Sequence, residues 1–374
     1  MSPLLQKILR TNWILFGLML ALSIFGLYAI YSATYMRPTD YWHRQLLWMG
    51  VSVGVSFVTS LIDYRWTKWG AIPLYLASVA MLVAVQVIGE AQYGAKSWLD
   101  LGPLYFQPSQ LAVVSGIMVL ALFLSTMPVS PDRKFLEQIG RIFACGCIVG
   151  APWLLILIQP DLGSAIVWVP ILLGMIFIAG IQFRYLASIL LIGLALIPIV
   201  VNFGLKPYQH DRIMVFLEPE RDPQGAGWTI TQSMIAIGSG GWSGKGFKAP
   251  NTLNELGFLP STIVHNDFIF SVIGEQHGFI GGALLISVFG LLVLTCLFIT
   301  AEAKDDLGRL LGTGITLLIF THVFMNIGMT ISVTPITGLP LPLVSYGGSF
   351  VLIVMFSFGI LQSIWIHRKP LDPV

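Results

Sequence analysis

Residues 267–301 read DFIFSVIGEQHGFIGGALLISVFGLLVLTCLFITA. Behind the carboxylate of Asp267 comes an apolar run long enough for a helix to cross a bilayer, which needs about 20 residues. Upstream the sequence is of the opposite kind, since residues 205–266 carry ten charges and form the only long polar break in the chain. Outward from that junction, nine further runs of roughly membrane length appear. They lie at Trp13–Ser32, Gln45–Ile62, Gly70–Ile88, Ser109–Ser125, Arg141–Ile158, Leu162–Gly180, Tyr185–Phe203, Leu307–Ile331 and Leu341–Ile366. Spanning backbone must satisfy its own hydrogen bonds, so each run is expected as a helix. The predicted fold class is an all-α integral membrane protein of about ten transmembrane helices. It forms a single polytopic domain over residues 1–374, with a large extracytoplasmic loop, 205–266, before span 8.

Composition supports the same class. Of the 374 residues 56% are hydrophobic and only 10% charged, where soluble domains carry about 25% charged residues. The mean hydropathy of +0.82 is too high for one globular core to hide. A net charge of +2 without a basic run gives no footing for nucleic acid. Cys145, Cys147 and Cys296 all lie in apolar stretches and read as small apolar filler rather than metal ligands or disulfides. Lys7 and Arg10 precede the first run, and no small-residue cleavage site follows it, so that run reads as a retained span.

Orientation follows from the basic residues on alternate sides. One side holds Lys7, Arg10, Arg65, Lys68, Arg133, Lys134, Arg141, Arg184, Lys304, Arg309, Arg368 and Lys369, twelve of the 20. The other holds Arg37, Arg44, Lys96, Lys206, Arg212, Arg221, Lys245 and Lys248. The richer side has the shorter loops, so both termini are expected in the cytoplasm and Asp267 on the outer face.

A carboxylate at the mouth of a span is costly and reads by default as functional. Two more carboxylates lie deep in the pattern. Asp161, in Gln159-Pro160-Asp161-Leu162-Gly163, reads either as a helix N-cap or as part of a site. Glu275 reads either as the buried partner of a neighbouring polar group or as functional, eight residues beyond Asp267 and so about 12 Å along a helix. His277 reads as packed or hydrogen-bonded. Lys96, Arg212, Lys245 and Lys248 could gather around Asp267 as a phosphate-binding cluster, or be scattered loop charges. The glycine-rich run Gly238–Gly246 is either a flexible loop or an anion-binding nest. No Walker or dinucleotide pattern accompanies it. The stretch Gly338-Leu339-Pro340-Leu341-Pro342-Leu343-Val344-Ser345-Tyr346-Gly347-Gly348-Ser349 implies a broken or re-entrant helix start, tolerated only against protein or a cavity. Ser345 and Tyr346 in it are candidate substrate contacts. From these residues alone, a transporter with a midplane site and an enzyme acting on a membrane-embedded substrate both stay open.

Together these segments resemble the SEDS family (shape, elongation, division and sporulation) of bacterial cell-wall glycosyltransferases. The resemblance is carried by Lys96–Gly102, Phe106–Ser109, Gln159–Ser164, Asp222–Trp228, Ala236–Gly241, Asn266–Phe270 and Pro340–Ser349, in order over most of the chain. Asn326-Ile327-Gly328-Met329 followed by Leu339-Pro340-Leu341-Pro342 is nearer the elongation member than the division member. The resemblance implies an inverting peptidoglycan polymerase acting on lipid II. The acceptor's 4-hydroxyl attacks the donor's anomeric carbon, undecaprenyl diphosphate leaves and a β-1,4 bond forms. It implies Asp267 as general base, and such a transfer needs one placed base and charge stabilisation of the leaving diphosphate. Arg212 and Lys245 are the expected diphosphate contacts, with Lys96, Asp161, Glu275, Ser345 and Tyr346 as further substrate contacts. No cofactor is required, although a divalent cation, Mg or Mn, could assist. Implied partners are a class B penicillin-binding protein transpeptidase, other elongation-complex membrane proteins and membrane lipid, in the bacterial cytoplasmic membrane.

Two departures stand out. The family commonly reads Gln-Pro-Ser-Glu with a Lys three residues later, where this chain has Gln110 and Val113. Loss of both charges at once need not cost stability. Asn266 stands where Thr is usual, and Gln276-His277 follows Glu275 where a second Glu and Leu are common. The rival readings are a lipid II flippase and a weakly catalytic scaffold that regulates a partner transpeptidase.

Overall fold

The computed structural model describes residues 2–36, 39–92, 95–100, 105–127, 135–199, 201, 204 and 207–368. Arg37, Arg133, Lys134, Lys206 and Lys369 of the charge count, and Leu101-Gly102 of the motif, lie outside the described residues. The described residues form thirteen α-helices. They are α1 (Pro3–Leu9), α2 (Trp13–Thr34), α3 (Tyr41–Leu61), α4 (Thr67–Ile88), α5 (Pro108–Thr126), α6 (Phe135–Ile158), α7 (Leu162–Ile178), α8 (Phe183–Ile199), α9 (Pro207–Leu217), α10 (Ala226–Ser239), α11 (Ile269–Ala301), α12 (Asp306–Thr330) and α13 (Gly348–Ile366). Each expected span coincides with a helix, α2 to α8 and α11 to α13. Seven of these are long and apolar enough by themselves to cross a membrane, whereas α7 and α8 are apolar but shorter.

The remaining helix, α3, shows how a membrane bundle sorts its residues. Its buried positions are Gln45, Ser52, Ser56 and Ser60, spaced to share one face, while Leu47, Val51, Phe57 and Val58 are exposed. Lipid already solvates apolar side chains, so small residues that permit close packing turn inward. The partner is α13, and this is the most extensive helix pairing in the fold. A Cβ added at Gly359 would lie 2.8 Å from the carbonyl oxygen of Ser56 and 2.7 Å from Thr59 Cβ.

Three boundaries differ from the sequence expectation. The last helix begins at Gly348 rather than Leu341. Residues 338–347 are non-helical: Gly338 and Leu343 have φ of +69° and +66°, and Pro340 and Pro342 have no N–H to donate. The helix of span 8 begins at Ile269, so Asp267 sits in the turn before it. The segment 205–266 holds α9 and α10, and Glu90–Pro108 contributes an antiparallel sheet ordered β1 (Glu90–Gln92), β2 (Ala95–Asp100) and β3 (Tyr105–Phe106).

Helix α11 breaks at Gly278, whose φ of 62° and ψ of −163° are not helical. A break frees backbone groups that must find partners, and the glycine-rich run supplies them. Lys245 and Gly246 amides donate to the carbonyls of Glu275 and Gln276 at 3.0 Å, and Phe279 and Ile280 amides donate to Gly241 and Trp242 at 2.8 and 3.1 Å. Side chains would not fit, since a Cβ on Gly244 would lie 2.2 Å from Gln276 O and one on Gly278 would lie 2.4 Å from Gly244 N. The glycine run is thus a clasp on a broken helix.

Candidate functional site

The backbone of Asp267 is fixed by a turn and by its neighbours. Its amide donates to Ile263 O at 2.9 Å, and its carbonyl accepts from Asn326 Nδ2 at 3.0 Å. Asn326 is fully buried on α12, and the same nitrogen donates to Leu339 O at 2.7 Å. One amide therefore ties the Asp267 turn to the non-helical start of the last span. The two residues before it are tied to that start as well. Ser345 Oγ donates to Asn266 O at 2.5 Å, and the Tyr346 amide donates to His265 O at 3.0 Å. Gln45 holds the far end by accepting from the Gly347 amide at 3.1 Å.

The carboxylate itself is left open. No hydrogen bond to either oxygen is present among the described residues, and Gly338 backs onto it, its added Cβ falling 3.6 Å from Asp267 Oδ2. Asp267 is half-exposed at its surface, but dense protein lies around it. Burial pushes its pKa up to about 7, the Arg212 cation opposing the rise and the Asp161 charge adding to it. Arg212 extends from α9 and donates to Ile336 O at 3.5 Å. Its positive charge therefore enters beside the segment that also backs Asp267.

Asp161 is built differently. It is the N-cap of α7, accepting from the Ser164 amide at 3.0 Å and Ser164 Oγ at 2.7 Å. It also accepts from Gln107 Nε2 at 3.0 Å and Ser109 Oγ at 3.3 Å. Four donors occupy its carboxylate, yet it lies close enough to Asp267 to act on it through space. The tip of α7 reaches the site because Gly163 packs on Thr337, where a Cβ would meet the carbonyl oxygen at 2.2 Å.

Glu275 belongs to a second network, the clasp. It is fully buried, and its Oε1 accepts from Lys245 Nζ at 2.6 Å, the Leu253 amide at 2.8 Å and Ser239 Oγ at 3.4 Å. Lys245 is thereby engaged with Glu275 rather than with Asp267. Lys248 is engaged too, 3.9 Å above the Tyr31 ring and 4.6 Å above Tyr35, with a 2.6 Å hydrogen bond to Tyr31 Oη. Lys96 lies on β2, and its side chain is outside the described residues. Of the four cations expected around Asp267, the described contacts bring Arg212 to it. Ser345 is a structural tie, whereas Tyr346 stacks edge-on against Tyr41, with Arg44 near enough to act on its hydroxyl electrostatically.

Asn326, Gln45, Gln107 and Ser109 were not singled out as site residues. The available signal was the amide side chain of Asn326 inside an apolar run, since such groups are costly in a span unless they serve. Gln110 and Val113 are both buried in α5, so the missing acid and base leave a neutral interior there.

Comparison with known proteins agrees with this arrangement. The chain is 37% identical over 355 residues to the peptidoglycan glycosyltransferase MrdB of Escherichia coli (strain K12), covering 95% of this chain and 93% of that protein. A solved chain described under structural coordination of polymerization and crosslinking by a peptidoglycan synthase complex superposes with a TM-score of 0.79 at 29% identity, covering 96% of this chain and 98% of that one. The crystal structure of the rod shape determining protein RodA of Thermus thermophilus superposes with a TM-score of 0.70 at 26% identity, covering 96% and 98%. Residues 9–370 match the family model described as the FtsW, RodA and SpoVE cell cycle proteins, and with the motifs in order and the bundle shared, the chain belongs to that family.

Proposed function

We propose that this multi-pass membrane protein is a peptidoglycan glycosyltransferase of the elongation type, polymerising lipid II with Asp267 as general base. The observation that carries the reading is the contrast between two neighbouring carboxylates. Asp161 is saturated by four donors, while Asp267 has its backbone clamped and its oxygens open. A pKa raised to about 7 suits a base that must hold and release a proton near neutrality. Arg212 is the candidate contact for the departing diphosphate, because a guanidinium matches phosphate oxygens. Apolar grooves between the spans would take the lipid tails, with the site facing outward and both termini in the cytoplasm of the bacterial inner membrane. A class B penicillin-binding protein is the proposed partner, in keeping with the likeness to a chain from a peptidoglycan synthase complex.

Divalent metal fits this site only in a limited way. No group of three or more His, Cys, Asp or Glu able to hold an ion occurs among the described residues, and the Asp161 oxygens are already used. Mg or Mn would be held by Asp267 together with the diphosphate of the substrate, as hard cations prefer oxygen ligands. The chain's own residues supply the base, the backbone clamp and the Arg212 charge.

The deciding experiment uses purified protein and labelled lipid II, alone and with the partner transpeptidase. Asp267→Asn is expected to abolish glycan chains. It should also raise stability at pH 8 by up to about 4 kcal/mol, at 1.36 kcal/mol per pKa unit. A carboxyl whose folded pKa exceeds its unfolded value of 3.8 costs stability once ionised, so the gain should vanish near pH 4. Chains made by the variant would remove Asp267 from the chemistry. No chains from the native protein under any condition would favour a scaffold or a flippase.

A further inference from the structure

At the opposite end of the bundle from Asp267, where α2 begins and α13 ends, lies a groove of about 480 Å³. Its walls are Trp13, Ile14, Leu294, Phe298 and Trp365, and its polar lining is Thr11, Asn12 and Thr295. The two hydroxyls and the side-chain carbonyl of Asn12 have their hydrogen bonds made internally. Asn12 Oδ1 caps α2 by accepting from the Leu15 amide, and its backbone N–H and C=O pair with Gln362. Thr11 and Thr295 hydroxyls donate to Lys7 O and Leu291 O. Apart from the Asn12 side-chain NH2, a ligand in the groove therefore meets apolar surface and hydroxyls already engaged.

Charge gathers at the rim. The Arg368 guanidinium lies 3.5 Å from the centre of the Trp365 ring and donates to Trp365 O at 3.0 Å. Arg10 and Glu302 are near enough to act on it electrostatically. Among the described residues that act on this rim, two guanidiniums stand against one carboxylate, a positive edge over an apolar slot, with Trp13 and Trp365 where interfacial aromatic residues settle.

We propose that this groove binds one anionic glycerophospholipid, its acyl chain along Ile14, Leu294 and Phe298 and its phosphate on Arg10 and Arg368. The charge at the rim selects an anionic headgroup, and the largely apolar lining selects a hydrocarbon chain. A partner's spanning helix fits less well. The groove occupies α11 only from Leu294 to Phe298, one helical turn or about 6 Å, whereas a spanning helix needs a seam running through the roughly 30 Å hydrocarbon core. The site is independent of the reaction proposed above.

Native mass spectrometry of the intact protein from detergent, titrated with phosphatidylglycerol, phosphatidylcholine or inorganic phosphate, tests this. One phosphatidylglycerol should be retained preferentially, unaffected by inorganic phosphate. Arg368→Gln should weaken retention about fivefold, the factor one basic residue contributes beside an anionic lipid surface. Leu294→Trp, at a lipid-facing position, should block the chain while leaving both arginines. A photo-crosslinking side chain at position 294 should capture a phospholipid-sized adduct in membranes. Equal retention of phosphatidylcholine, displacement by inorganic phosphate, retention unchanged in both variants, or a protein-sized adduct would each overturn the proposal.

Discussion

The clasp between Glu275 and Lys245 allows the most exacting test of how the segment before α11 is held. Glu275 is completely buried while Lys245 keeps 28% of its side-chain surface, so the two halves of the pair should respond unequally to removal. Lys245→Met leaves a carboxylate in dense surroundings with only the Leu253 amide and the Ser239 hydroxyl. Stranding a buried charge this way costs about 3–5 kcal/mol. Glu275→Gln is milder, because Lys245 can turn toward water. The loss is that of a charge-assisted bond, about 1.5–3 kcal/mol. The double variant buries no charge and should fall well short of the sum, with a coupling of at least about 2 kcal/mol. Unfolding of the four proteins in detergent, followed by tryptophan fluorescence, gives the cycle. Single effects that add to within about 0.5 kcal/mol would refute the clasp.

The same four proteins separate two roles for Lys245. If its ammonium serves only to neutralise Glu275, polymerisation lost in Lys245→Met should return substantially in the double variant, because the helix segment behind Asp267 is held again. If the ammonium instead receives the leaving diphosphate, the double variant should be as stable as expected and still inactive. Stability and rate are read on one set of samples, so neither outcome can be mistaken for the other.

Other expectations rest on single contacts. Polymerisation should rise with pH through about 7 as Asp267 ionises. Asp161→Asn, which can still cap α7, should move that midpoint down by removing a negative neighbour, and Arg212→Met should move it up; identical pH profiles would sever both residues from the base. Asn326→Leu removes the tie between Asp267 O and Leu339 O, so kcat should fall with KM little changed, and an unaltered kcat would mean the turn is held without it. Gly278→Ala must push a Cβ against Gly244 N at a positive φ. It should expose residues 240–257 to added protease, and unchanged resistance would show that the break tolerates a side chain.

Much of this bundle was legible because lipid imposes long apolar runs, and all ten expected spans found their helices within a few residues at most ends. The larger misses have physical causes. Pro340, Pro342 and the paired glycines did mark a broken start to the last span, but periodicity could not place its helix at Gly348 rather than Leu341. The clasp was hidden because Gly278 reads like any glycine in a span, while its φ of 62° depends on backbone donated from more than thirty residues upstream. Asp267 was visible as a costly charge at a span's edge, and Asp161 as a cap. Their mutual influence was not, because it depends on the Thr337–Leu339 segment drawing the tip of α7 toward the turn before α11.

That convergence bears on why a single open carboxylate can be kept beside hydrocarbon. Charge around the start of α11 falls into two separate sets, Glu275 with Lys245 and Asp161 with Asp267 and Arg212. The first set is neutral, with Glu275 Oε1 taken by three donors, so it can lock the segment before α11 without drawing on the site. The second carries two carboxylates against one guanidinium, and one of those carboxylates is committed to four donors. Burial of a carboxylate with no donor of its own, beside the Asp161 charge, raises the proton affinity of Asp267, and the cost to folding appears as that carboxyl ionises. A neighbour that opposed the charge more strongly would hold Asp267 as a relaxed anion and a poorer base. One without Arg212 would keep it protonated at neutral pH. Burial, trimmed by Arg212 and reinforced by Asp161, brings this carboxyl to a proton affinity near pH 7, as the proposed base requires.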